Sequence, residues 1–218
     1  MRRSLVVLGG SGDLTGRLLL PSLAALSATG GLAEDVVVRA VSREDWDDDA
    51  YRGWARDRLA AHAPEVDERV RERLVAHLHH SRGDVTSTEQ LRAALEAVRG
   101  VPIVYLALPN TVFGPTLEAL VEVGLPEGAQ VVVEKPFGRD LADARALNEV
   151  LHRLVPEEAV FRIDHFLAMQ TALNLLGLLA EEVDPGSGAF LGNFPQAFSH
   201  VGVVSSGWAL ARAQEARR

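Results

Sequence analysis

Residues 160–170, VFRIDHFLAMQ, end an apolar run in Arg162, Asp164 and His165. A guanidinium can hold an anion, and a carboxylate beside an imidazole can orient and move a proton near neutral pH. The same Asp–His pair could instead be a satisfied polar contact at a strand end. A second run, VVVEKPFG, ends in Lys135, whose ammonium is either reactive or an ordinary surface cation. A third stretch, GGSGDLTG at 9–16, follows the first apolar run directly. Glycines between strand and helix let the backbone approach a diphosphate, and the positive helix end favours the anion. This reading assigns a dinucleotide cradle to Gly9, Ser11, Gly12, Asp13 and Leu14. The fingerprint is partial, because Gly10 and Gly12 are in place while Thr15 holds the third glycine position. A tight strand-to-helix turn is the alternative.

The residues after the next apolar run separate two cofactors. An acid there would bond the adenine ribose of NAD, whereas a cation suits the 2′-phosphate of NADP. Here DVVVRAV is followed by Ser42 and Arg43, which favours NADP. Alternatively, Arg43 pairs with one of the acids that follow, Glu44, Asp45 or Asp47. Farther on, Gly83, Asp84 and Val85 close a third strand region, where an adenine ring would lie.

These groups can act together only if one edge of a sheet collects them. Strand-like runs (SLVVLG, DVVVRAV, PIVYLALP, AQVVVEKPFG, AVFRIDHF) alternate with helical segments, with a further strand expected near HLHHSRGD. Pro21 is expected to kink or restart the first helix, and acids or Ser/Thr residues cap later ones. Such alternation predicts an α/β, doubly wound (Rossmann), mostly parallel sheet with ligands at the carboxyl ends of its strands. The boundaries expected are a dinucleotide-binding domain over 1–167 and a helical C-terminal tail over 168–218. The absence of cysteine excludes disulfides and thiol chemistry. A formal net charge of −8 argues against a broad nucleic-acid surface. The apolar run after Met1 stops at Gly9, too soon for a secretory signal, and no segment is long enough for a membrane span. A cytoplasmic protein is expected.

GGSGDLTGRLLLPSL, YLALPNTVF, VVVEKPFGRDLADARALN and FRIDHFL, in this order, resemble the N-terminal part of glucose-6-phosphate dehydrogenases over about residues 4–167. The pair EKPFG and FRIDH is far more specific than the glycine turn. The resemblance implies transfer of a hydride from C1 of glucose 6-phosphate to NADP, a step of the pentose phosphate pathway. It implies that Lys135 reaches sugar and cofactor, that Pro136 bends the chain to set it, and that His165 contacts the sugar phosphate. Asp164 would orient a catalytic histidine. Leu18 and Met169 stand where the family usually places lysines, and Gln170 replaces an acid. The large antiparallel-sheet domain that carries the family's catalytic histidine has no counterpart in the sequence. None of the remaining histidines has a matching context.

The segment from Gly177 to Ala213 resembles the C-terminal end of bacterial glucoamylase-type glycoside hydrolases, with AEEVDP and LGNFPQAFSH as its specific parts. That resemblance implies a general-base role for Glu181. Its acid partner, expected roughly 6.5–9.5 Å away, would come from an absent barrel. Glu181 and Glu182 therefore read as solvated residues at a helix end. The chain looks like two truncated families joined near residues 167–176. Its tail residues Phe190, Leu191, Phe194, Phe198 and Trp208 must pack on the first domain, join another subunit or stay exposed. Besides a dehydrogenase, a non-catalytic NADP-binding module and a glycosidase fragment remain as readings.

Overall fold

The computed structural model describes residues 3–33, 36–134, 138, 140–163, 182–183 and 190–191. The chain divides into two compact units, Met1–Ile163 and Asp164–Arg218. In the first, six strands form one parallel sheet: β1 (Arg3–Leu8), β2 (Val37–Ser42), β3 (Leu78–Arg82), β4 (Val101–Leu106), β5 (Gln130–Glu134) and β6 (Val160–Ile163). Their order is β3-β2-β1-β4-β5-β6. The winding reverses between β1 and β4, which places a switch point beside the glycine turn.

Alternate residues of the buried strands face opposite layers. Val6, Leu8, Val41, Val104 and Val131 pack against α4 (Thr88–Glu96), α5 (Asn110–Val123) and α6 (Leu141–Leu154). Val7, Val38, Ala40, Tyr105 and Val132 pack against α1 (Leu20–Ala28), α2 (Asp48–His62) and α3 (Glu68–Ala76). Period-two burial on both faces explains why the strands read as continuous apolar runs. The helices start where their caps are. Asp47 accepts a hydrogen bond from the Ala50 amide at 2.8 Å, and Asp140 accepts one from the Asp143 amide at 2.8 Å. Pro21 lies in the first turn of α1 and restarts the helix after a π-helical turn over Thr15–Leu19. It has no N–H to donate, and just ahead of it the Leu20 amide bonds the Thr15 carbonyl.

Side chains tie down the outer strands. At β3, Arg52 Nε donates to the Leu78 carbonyl at 3.0 Å, and the Asp48 carboxylate accepts the His80 amide at 2.7 Å. At β6, the Arg162 guanidinium donates to Glu157 at 2.7 Å and to Asn148 Oδ1 at 2.8 Å. Arg162 is thus committed to an internal contact, contrary to its reading as an anion binder. In the second unit, β7 (Glu182–Val183) pairs antiparallel with β8 (Phe190–Leu191). Glu182 therefore lies in a short strand and not at a helix end. Glu181, Phe194, Phe198, Trp208 and the helix expected near the C-terminus lie outside the described residues.

The Glu157 carboxyl is held down to about 2, first by the Arg162 hydrogen bond and then by His152. A depressed carboxyl stabilises the fold above its unfolded value and loses that contribution as pH falls through the folded value. Chemical denaturation should therefore show wild type more stable than Glu157→Gln by a small constant margin above pH 4.5. The margin should shrink below that pH and vanish near pH 2.

Candidate functional site

The carboxyl ends of β1 to β4 converge on a crevice of about 290 Å³. The glycine turn forms one wall, and its backbone is set by close approach to both neighbouring strands. Gly9 has φ +89°, and a Cβ there would lie 2.2 Å from the Ala107 carbonyl oxygen. At Gly10 a Cβ would meet Ala40 Cβ at 2.4 Å. Both amides donate to the Val41 carbonyl, at 3.0 and 3.1 Å. Thr15, in the third glycine position, is buried and donates through Oγ1 to the Gly9 carbonyl at 3.0 Å. The Tyr51 hydroxyl donates to the Gly10 carbonyl at 3.0 Å. Part of the glycine signal thus comes from internal packing, while Gly9, Ser11 and Gly12 also face the crevice.

Ser42, Arg43, Asp84 and Val85, which the sequence reading assigned to a cofactor, join them there. Asp13 and Leu14 do not. Asp13 is exposed and pairs with Arg17 at 3.2 Å, and Leu14 packs against the layer of α1 to α3. Any part they play in a cradle belongs to their main chain. Lys135, Asp164, His165, Met169 and Gln170 lie outside the described residues. Leu18, at a position where the family usually places a lysine, is 49% exposed.

The acids after Arg43 are engaged elsewhere. Asp45 pairs with Arg82 at 2.9 Å, Asp47 caps α2, and Glu44 accepts the Ser11 hydroxyl at 2.6 Å. Arg43 itself is exposed and forms no ion pair among the described residues. Asp84, across the crevice, is held below the usual carboxylate range mainly by hydrogen bonds from Thr86, with a smaller contribution from the Arg43 charge. Burial alone would raise the Glu44 carboxyl, but hydrogen bonds from Ser11 and Ser42 outweigh it and hold it low. Ser42 Oγ also lies 2.7 Å from His80 Nε2. The other His80 nitrogen faces the Trp46 carbonyl at 2.9 Å and so carries a proton. Ser42 is buried, and its hydroxyl is engaged with the His80 ring. Ser42 thus shapes the crevice, with its hydroxyl already partnered by a ring nitrogen.

Glu44, Tyr51 and His80 were not legible as site residues, since the hydrogen bonds that hold them reach Ser11, Gly10, Ser42 and Asp48, 32 or more positions away. Glu44 carried the one available signal, an acid following a strand end.

Comparisons with known proteins bear on these residues. The model of the family described as glucose-6-phosphate dehydrogenase, NAD binding domain, matches residues 6–174. The chain belongs to the glucose-6-phosphate dehydrogenase family. Glucose-6-phosphate 1-dehydrogenase of Dickeya dadantii is 37% identical over 179 residues, covering 80% of this chain and 36% of its own length. That of Mycolicibacterium smegmatis is 35% identical over 182 residues, covering 78% and 37%. The crystal structure of the Mycobacterium avium glucose-6-phosphate 1-dehydrogenase aligns with a TM-score of 0.70 at 34% identity, over 82% of this chain and 40% of that one. The chain thus spans a little over a third of the length of the curated glucose-6-phosphate dehydrogenases it matches, and what it shares with them is the domain for a nicotinamide cofactor. A second model, glycosyl hydrolases family 15, matches residues 152–208.

One further contact holds the first residue of the EKPFG stretch. The Tyr105 hydroxyl donates to the buried Glu134 carboxylate at the end of β5, one residue before Lys135. Burial first, and then Glu134, push the Tyr105 hydroxyl well above the usual phenol value. Tyr105→Phe removes one partner of a buried carboxylate. Urea denaturation should show a loss of about 1–3 kcal/mol.

Proposed function

We propose that the crevice binds NADP and that the chain serves an oxidoreductase moving a hydride from C1 of glucose 6-phosphate to that cofactor. The observation that carries this reading is Arg43, which stands exposed at the crevice while Glu44, Asp45 and Asp47 are engaged elsewhere. The residues present fit a dinucleotide. The turn at Gly9, Ser11 and Gly12 offers main-chain groups to the diphosphate, Arg43 meets the 2′-phosphate, and Asp84 and Val85 flank the adenine. Bound NADP would supply the hydride acceptor. The remaining roles follow the family motifs. Lys135 spans sugar and cofactor, His165 holds the sugar phosphate, and Asp164 orients the base that takes the C1 hydroxyl proton. The sugar assignment draws on the relatives' names and on a related structure, 27% identical with a TM-score of 0.68, described as a complex with its substrate glucose-6-phosphate.

The matched share of the relatives favours one second reading, a module that binds NADP without turning over sugar alone. Among the described residues, His77, His79, His80 and His152 make internal contacts.

Calorimetric titration tests the cofactor. Arg43→Ala should weaken NADP binding at least about tenfold and leave NAD nearly unchanged, since charge-assisted hydrogen bonds contribute about 1.5–3 kcal/mol. Glu44→Gln should tighten NADP by roughly threefold, because a like charge at the crevice is removed. Equal NADP and NAD affinities would refute the 2′-phosphate assignment. Adding glucose 6-phosphate to the NADP-saturated chain should give little or no rise in the absorbance of reduced nicotinamide, because none of the chain's histidines matches the family's base, and any rise should disappear in Lys135→Ala and Asp164→Ala. NADP binding without any rise would leave the binding-module reading.

A further inference from the structure

The opposite end of the sheet holds a larger cavity of about 420 Å³, between the amino-terminal halves of β2 and β3 and the turn after α4. Its charged lining is cationic. Arg39 of β2 pairs in register with His79 of β3, and Arg99 follows α4. The Ser4 hydroxyl pins the Arg99 carbonyl at 2.6 Å, which fixes that turn against β1. Among the described residues, no carboxylate lines the cavity. Arg39 is half-buried and donates through Nη1 to Ser81 Oγ at 2.9 Å and, at 3.4 Å, to the His80 carbonyl. Its Nε is buried without an acceptor. Neither Arg39 nor Arg99 has an ion pair among the described residues. Asp48, the nearby acid, is already committed to His79 Nδ1 at 2.6 Å, to the His80 amide and to Arg52.

A half-buried guanidinium without a counter-charge is unfavourable, and an incoming dianion would offset that cost. The fork of an arginine matches the oxygens of a phosphoryl group better than a point charge does. Val37, Ala97 and Val98 supply apolar walls. The volume lies within the range of small-molecule sites. We propose that this cavity binds a small phosphate monoester, with its phosphoryl oxygens on Arg39 and Arg99 and its carbon chain against Val37 and Val98. The site is separate from the glycine-turn crevice and does not depend on the NADP reading.

The test uses the full chain with propyl phosphate and, separately, inorganic phosphate as probes, followed by thermal melting and by NMR of the arginine Nε–H signals. Both probes should raise the melting temperature saturably and shift the Arg39 signal, with the ester bound more tightly than inorganic phosphate. Arg39→Met should melt higher than wild type without ligand, because an unpaired charge is gone, and should bind the ester at least about tenfold more weakly. Arg39→Lys, which keeps charge but not the fork, should bind with intermediate affinity, and Arg43→Ala should bind like wild type. Absence of saturable binding, or ester binding retained in Arg39→Met, would overturn the proposal. Loss of binding in Arg43→Ala would do the same, by placing the phosphate in the other crevice. Equal affinity for the two probes would remove the apolar wall from the site.

Discussion

The carboxyl edge of the sheet is organised by the approach of Gly9 and Gly10 to the strands on either side. One carbonyl, that of Val41, accepts both amides, and neither position has room for a Cβ. This clamp joins β1 to β2, sets the start of the first helix and fixes how far Ser11 and Gly12 stand from Arg43 and Glu44. Thr15 and Tyr51 add hydrogen bonds to the carbonyls of the same turn. The turn is therefore held by the fold itself, and a ligand would meet a surface already in place, which lowers the ordering cost of binding.

Charge in the crevice is arranged by partners far away in sequence. Of the five acids that follow Arg43 within six positions, Glu44, Asp45, Asp47 and Asp48 each have a distinct task in the folded protein. Ser11 draws Glu44 towards the glycine turn, Arg82 draws Asp45 to β3, and the last two serve the start of α2 and the edge of the sheet. The net effect leaves the Arg43 guanidinium at the crevice without an ion pair among the described residues, although Asp84 across the crevice feels its charge. Tyr105 acts similarly on Glu134, seating the carboxylate that opens the EKPFG segment.

The strands and helices were legible because their signals are local. Continuous apolar runs marked β1, β2, β4 and β5, and the aspartates before α2 and α6 marked where those helices begin. Gly9, Gly12 and Arg43 could be placed at the crevice because each follows the carboxyl end of such a run, and Asp84 and Val85 because they follow the less apolar β3. Other features depend on distant pairings, which leave no local trace. Ser42 reads as a free hydroxyl until His80 is brought beside it, and Arg162 reads as an anion binder until Glu157 and Asn148 take its guanidinium. Asp13 and Leu14 open a helix that turns their side chains away from the crevice, so only their main chain is left to a cradle. The π-helical turn before Pro21 has no sequence signature of its own.

The contacts along β3 have a consequence for encounters between molecules. Arg52 and Asp48 occupy a carbonyl and an amide that an outermost strand would otherwise offer to a foreign chain. A strand arriving at that side finds these ladder positions already filled, and two charged side chains stand in its way. Copies of this protein therefore cannot lengthen the sheet through β3 by simple strand addition, so a flank that could template aggregation is sealed by two residues of one helix.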